Sequence, residues 1–276
     1  MAELLTGPGS VTVIAEIGEN HAGDMALARR MVIEAAEAGA DVVKFQSYRA
    51  SDIATSDPER EWFDRVALSD RAHRELAELA ARKDVAFMSA PFTLERARFL
   101  VEDLGLRKIK VASSEMLNLG MLDYLADHVD TVYLSTGLAD LDEVGVAVSR
   151  LEPVEQVVIM HCVAQYPLMD ADANLRAIRT LAKTFPHREV GYSDHTIGLL
   201  APLLAVALGA TTVEKHFTLN RSLPGTDHVL SVTTPELADL VSGIRQAEVL
   251  LGNSEKRPVA AELEIRELVR SRFAKS

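Results

Sequence analysis

The 276-residue sequence predicts an α/β fold in one domain, a closed (β/α)8 TIM barrel, and three observations carry that expectation. Short apolar runs alternate with helical patterns almost without interruption between 11 and 251, and their count matches the eight strand–helix units of a closed parallel barrel. The runs are apolar throughout, as strands buried on both faces are. An open doubly wound sheet would need no eighth strand and would usually show a glycine-rich first turn, whereas "EIGENHAGD" after the first run is not G-x-G-x-x-G.

The elements follow in order. "VTVIAEI" (11–17) reads as a strand and "MALARRMVIEAAEAG" (25–39) as a helix closed by Gly39. "DVVKFQ" (41–46) is the second strand. The stretch 47–68 reads as irregular and is too long for a routine connection, so a functional role is expected of it. A helix capped by Ser69 or Asp70 spans 69–83. Strands at 85–89, 107–113, 131–136 and 156–162 are followed by "LERARFLVEDLG", "MLDYLADH", "LDEVGVAVSRL" and "ANLRAIRTLAKTF" as helices. "EVGYS" (189–193) and "IGLLAPLLAVALG" form the seventh pair, and "TTVEKH" (211–216) is the eighth strand. A loop at 217–234 leads to a helix at 235–251, and a last helical extension fills about 259–273. The whole chain, 1–276, reads as one barrel domain.

Composition narrows the function. At 48% hydrophobic residues the chain can bury a large core. Its net charge of −12, from 41 acidic and 29 basic residues, argues against nucleic acid or an anionic membrane as partner. Cys162 is the only cysteine, so no intrachain disulfide forms and a cytoplasmic location is expected. "MAELLTGPGS" has neither a basic nor an apolar leader region, and no run of 18 apolar residues exists.

Active sites of such barrels lie at the C-terminal strand ends. Polar residues gather there: Glu16, Lys44, Gln46, Lys110, Ser113, Glu115, Ser135, Ser193, Asp194, His195, Glu214 and His216. Lys44 and Lys110 sit within apolar runs, where an unpaired charge costs several kcal/mol. Two readings compete for them. One is a barrel salt bridge with Glu16 as partner; the other is a pair of cations for a phosphate or carboxylate, with Ser113, Ser135 and Ser193 as further donors. Two lysines with several hydroxyls at one mouth favour the anion. His195 and His216 end neighbouring strands about 4.8 Å apart, beside Asp194, Glu214 and Asp227. Two imidazoles with nearby carboxylates favour a catalytic metal ion with open positions. "RSLPGTDHVLS" (221–231) reads either as a plain polar turn or as a loop presenting Asp227 and His228 to the mouth.

"IAEIGENHAGD", "GADVVKFQSY", "KIKVASSEMLNL", "LSTGLADLDEV", "HCVAQYP", "GYSDHTIG", "GATTVEKHFTL" and "PGTDHVLS" together resemble the sialic acid synthase (N-acetylneuraminate synthase) family over roughly 11–270. The resemblance implies condensation of phosphoenolpyruvate with N-acetylmannosamine or a related aldose to a nonulosonic 2-keto acid, releasing phosphate by C–O cleavage. It implies a divalent ion, Mn2+ or Mg2+, on His195 and His216, and phosphoenolpyruvate contacts from Lys44, Lys110, Ser113, Ser135 and Ser193. It places Glu16, Tyr166, Glu214 and Asp227 near the sugar and Glu115 beside the reacting carbons. Glu16, Lys44, Lys110, Glu115 and Asp227 are thus the expected catalytic groups, and a homodimer is implied. Two positions depart from the family pattern: Ala90 stands where a threonine is usual, and Ala164 where asparagine or serine is usual. Each loses a hydrogen bond worth about 0.5–1.5 kcal/mol net. The chain stops at "LVRSRFAKS", where a linker to the family's C-terminal antifreeze-like domain would begin, so the catalytic barrel alone is expected. The competing expectations are a non-catalytic barrel that binds a phosphorylated ligand or partner, and another phosphoenolpyruvate-dependent synthase or an aldolase with a different acceptor.

Overall fold

The computed structural model describes residues 10–273; residues 1–9 and 274–276 lie outside the described residues. Its strands are β1 (Thr12–Gly18), β2 (Val42–Ser47), β3 (Ala86–Pro91), β4 (Lys108–Val111), β5 (Thr131–Ser135), β6 (Gln156–Cys162), β7 (Glu189–Asp194) and β8 (Thr212–His216). All the paired strands run parallel in the order β3-β2-β1-β8-β7-β6-β5-β4. The ends of that order, β3 and β4, are in contact at a seam without a ladder, so the barrel is nearly closed.

Helices α1 (Met25–Glu37), α2 (Arg60–Val66), α3 (Asp70–Arg82), α4 (Leu94–Arg98), α5 (Leu119–His128), α6 (Leu141–Arg150), α7 (Ala177–Thr184), α8 (Leu200–Ala207) and α9 (Thr234–Leu251) follow in chain order. Local signals set their ends. Asp24 caps α1 by accepting from Ala26 N at 2.7 Å, and Gly39 takes the left-handed turn at φ +89° after it. Ser69 Oγ caps α3, as expected. Three elements differ from the sequence expectation. The stretch 47–68 is not irregular throughout: it holds α2, whose seven residues are too few for a clear helical period. The helix begun by α4 widens into a π-turn at Phe99–Asp103. The seventh helix starts only at Ala177, because Asn174 is left-handed at φ +42° just before it.

Apolar packing separates into layers. Two large clusters fill the space between strands and helices, one around Leu100, Ile109 and Leu134, the other around Ile17, Phe45 and Leu76. A third plugs the barrel interior with Ile14, Val42, Met88, Tyr133, Val158 and Met160. Strand alternation dictates what comes next: two residues beyond Ile14 and Val42 the interior positions are Glu16 and Lys44. The apolar plug is therefore the base of a charged layer at the C-terminal ends. A final helix, α10 (Ala260–Ser271), buries no residue.

Candidate active site

The charged layer is built by register. Glu16 lies opposite Lys44 on one side and His216 on the other, and Ser193 lies opposite Glu214. Lys44 Nζ stands 2.9 Å from Glu16 Oε2 and 3.4 Å from Glu214 Oε2. Lys110 Nζ donates to Ser135 Oγ at 2.7 Å and stands 3.8 Å from Glu214 Oε1. Ser193 Oγ donates to Glu214 Oε1 at 2.9 Å. All four ionisable groups are buried. Burial, opposed in part by Lys44 and reinforced by the charge of Glu214, pushes the Glu16 carboxyl up to about 7. Glu214 faces the same desolvation, but Lys110, Lys44 and the Ser193 hydroxyl outweigh it and hold the carboxyl at about 2. The two acids thus differ in proton affinity: one stays ionised and the other titrates near neutrality.

Above this floor opens a cavity of about 530 Å³. Glu16, Lys44, Lys110, Ser113, Ser135, Tyr166, Ser193, His195, Glu214, His216 and Asp227 all line it, as do Ala90 and Ala164. Gly137 brings the β4 and β5 loops together: its N–H donates to Ser113 Oγ at 3.0 Å, and a Cβ there would stand 2.7 Å from that oxygen. The Tyr166 ring lies 4.0 Å from the His195 ring, centroid to centroid, and His195 lies 5.3 Å from His216.

His195 Nδ1 meets the Val163 carbonyl at 2.8 Å, an acceptor, so the proton belongs on Nδ1 and the Nε2 lone pair is free. His216 Nδ1 is buried without a hydrogen-bond partner, 3.4 Å from Asp227 Oδ2. Desolvation lowers both imidazoles, His195 to about 4 and His216 to about 3, so both are neutral at pH 7. Two neutral imidazoles with a free lone pair and an unsatisfied nitrogen fit a divalent ion. Among the described residues no third His, Cys, Asp or Glu joins them as a ready ligand set.

Several expectations need correction. Glu115 does not line the cavity; it sits in a short 3-10 turn and accepts from Asn118 Nδ2 at 3.0 Å. Glu214 belongs to the floor between the lysines, because its strand position faces inward one layer below His216. Asp194, expected beside the metal, faces out of the barrel, where it binds Lys215 Nζ at 2.7 Å and accepts from Tyr192 Oη at 2.9 Å. Both lysine readings meet in one place, since Lys44 does pair with Glu16 yet faces a cavity rimmed with hydroxyls. Two further histidines near strand ends stand apart from this cavity: His21 is buried against Phe45, and His161 is tied to the Ala173 carbonyl.

Sequence reasoning missed Glu19, Glu59, Phe63 and Phe92, which also line the cavity. Glu59 and Phe63 come from the 47–68 stretch, whose length was the signal. Glu19 stands inside the "EIGENHAGD" motif but beyond the strand end, where a survey of strand ends stops.

Among the described residues no helix is long and apolar enough to cross a membrane. The NeuB family model matches residues 31–256. An N,N'-diacetyllegionaminic acid synthase of Legionella pneumophila is 40% identical over 94% of this chain and 78% of its own length. A pseudaminic acid synthase of Helicobacter pylori is 34% identical over 89% of this chain and 76% of its own length. The crystal structure of an N-acetylneuraminic acid (sialic acid) synthetase from Leptospira borgpetersenii, in complex with citrate, superposes with a TM-score of 0.90 at 36% identity, covering 96% of this chain and 93% of that one. With most of its length matched by the family model, and with relatives named as synthases of sialic acid-like nonulosonic acids, the chain belongs to the NeuB family of sialic acid synthase-like enzymes.

Proposed function

We propose that this barrel condenses phosphoenolpyruvate with the open-chain form of an N-acylated aldose, N-acetylmannosamine-like, and releases phosphate. The observation that supports this most is the charged layer: Lys44 and Lys110, flanked by the Ser135 and Ser193 hydroxyls, line the same cavity as two neutral imidazoles. The lysines and hydroxyls hold the carboxylate and phosphate of phosphoenolpyruvate, which fixes the enol carbon in attacking position. His195 and His216 would hold a divalent ion, Mn2+ or Mg2+, which when bound polarises the sugar aldehyde as a Lewis acid.

The enol C3 forms a bond to the aldehyde carbon, and the aldehyde oxygen gains a proton. Water adds to the electron-poor C2. The C2–O bond to phosphate then breaks, and phosphate leaves with the bridging oxygen. Glu16 is the group suited to move the proton, because a carboxyl poised near 7 both accepts and donates at neutral pH. This role replaces Glu115, which the fold keeps out of the cavity. Tyr166, its ring tilted at 33° against that of His195, closes one side of the sugar site.

The test is phosphate release and product mass with phosphoenolpyruvate, Mn2+ and a panel of N-acylated aldoses. Turnover is expected with at least one acceptor, and oxygen-18 in the bridging position should appear in the phosphate. No release with any acceptor overturns the proposal and favours a binding barrel, for which Ala90 and Ala164 in the cavity wall would then account.

A further inference from the structure

The cavity is polarised along its depth. Its cations, Lys44 and Lys110, rise from strands at the floor. Its outer wall is made by segments beyond the strands: Glu19 past β1, Glu59 and Phe63 at α2, and Thr226 and Asp227 past β8. Among the described residues lining that wall there is no lysine or arginine. The acids are close enough to one another to matter, since burial, followed by the charges of Asp227 and Glu59, pushes the Glu19 carboxyl up to about 7.

Glu19 is also held. The Trp62 indole N–H donates to its Oε2. Trp62 in turn packs on the loop that carries Asp227, where a Cβ at Gly225 would stand 3.2 Å from the indole. One tryptophan therefore fixes the Glu19 carboxylate and the Asp227 loop in a common wall. That wall lines the same cavity as His216, whose Nδ1 stands 3.4 Å from Asp227 Oδ2. A wall of acceptors held in place suits a ligand rich in O–H and N–H donors.

Resting on the condensing activity proposed above, we propose that Glu19, positioned by Trp62, determines acceptor specificity: it receives hydroxyl or amide donors of an unphosphorylated sugar and rejects acceptors that carry a phosphate at that end. Phosphoenolpyruvate is no exception to this rule. It passes the wall in transit and comes to rest against the floor lysines, whereas the phosphate of an acceptor would come to rest against carboxylates.

The experiment compares N-acetylmannosamine with its 6-phosphate at pH 8, above the value of about 7 to which Glu19 is raised, so that its carboxyl is ionised, by phosphate release and by calorimetric titration of the full chain. The free sugar is expected to be favoured by roughly 100-fold in kcat/KM, and by a similar factor in binding. Glu19→Gln, nearly isosteric, should cut that preference about tenfold, and Glu19→Lys should cut it further. The change should fall on the acceptor's KM and not on the KM for phosphoenolpyruvate, which a general loss of structure would also move. Trp62→Phe keeps the charge but releases the carboxylate, so it should raise the free-sugar KM while retaining most of the preference. Equal use of both sugars by the unmodified chain, or an unchanged preference in Glu19→Lys, overturns the proposal. If neither sugar is turned over but the binding preference holds, the condensing activity fails and the specificity assignment stands. Turnover without preference overturns the specificity assignment and leaves the condensing activity standing, and binding of neither sugar overturns both.

Discussion

Strand β8 carries two adjacent buried charges, Glu214 facing into the barrel and Lys215 facing out, and the two assemblies they join differ in one respect. Outside, every charge is satisfied. Lys215 Nζ donates to Asp194 Oδ2 and to the Thr196 carbonyl, while Asp194 Oδ1 accepts from Tyr192 Oη and from Thr196 N at 2.8 Å. Inside, the same residue types share one cation and face open space. Glu16 Oε2 and Glu214 Oε2 both lean on Lys44 Nζ, at 2.9 and 3.4 Å, without a well-aligned hydrogen bond, and the cluster faces a cavity. A saturated buried pair holds structure together; an unsaturated one keeps charge ready for something that arrives later.

The sharpest way to break this distinction is to remove the outer lysine. Lys215→Met leaves Asp194 buried and unpaired, so about 3–5 kcal/mol of stability should be lost, read by denaturant unfolding. The folded fraction should keep its activity, and Asp194→Asn in the same chain should restore part of the stability. A Lys215→Met protein of unchanged stability and lost activity would place the outer pair in the chemistry and end the distinction.

Lys44→Met is the inner counterpart. It removes a cation but leaves Glu16 able to take up a proton, so little stability should be lost. Catalysis should fall by about 10²–10³-fold in kcat/KM for phosphoenolpyruvate, the usual cost of one preorganised charge donor. Circular dichroism and steady-state rates on the same preparation separate the two effects.

The inner assembly should also respond to pH. Glu16 is raised from its ordinary value to about 7 by burial, so below that pH it is neutral and the lysines meet an incoming anion opposed only by Glu214. Above it, ionised Glu16 competes for Lys44. Affinity for phosphoenolpyruvate should therefore weaken as pH rises past 7, by up to about tenfold per unit, and Glu16→Gln should flatten the profile. The same shift has a folding consequence. The folded state holds this proton between the ordinary carboxylate range and about 7, so the contribution of Glu16 to stability is lost as pH rises through that window. An affinity that is level from about pH 6 to 9 would remove Glu16 from the anion site.

Why some of this was legible in sequence follows from what each residue needs. Strands buried on both faces must be apolar, so the barrel could be read from periodicity alone, and Lys44, Lys110, His195 and His216 stood out as polar letters at the ends of apolar runs. Asp194 stood out equally and misled, because regular alternation along β7 turns Ser193 and His195 inward and Asp194 outward, and chemistry-bearing letters were gathered there without regard to parity. Glu115 failed for a different reason: the strand ends before it and the chain turns into a 3-10 helix at Ser113, where alternation no longer applies. Glu19, beyond the end of β1, and Phe63, in the short α2, reach the cavity through tertiary placement, which leaves no local period; only the length of the 47–68 stretch hinted at the second.

The finest comparison sets one hydroxyl against another. Ser135 Oγ accepts from Lys110 Nζ, so its own proton is free to meet an anion in the cavity. Tyr192 Oη gives its proton to Asp194 and has no access to that space. Ser135→Ala and Tyr192→Phe each delete one buried hydrogen bond, worth about 0.5–1.5 kcal/mol or more beside a charge. Equal bonds should yield unequal readouts. Ser135→Ala should raise the KM for phosphoenolpyruvate roughly two- to tenfold with little change in melting temperature. Tyr192→Phe should lower the melting temperature and leave that KM where it was. If both variants moved the same quantity, satisfaction of hydrogen bonds would not be what separates the structural layer of this barrel from its chemical one.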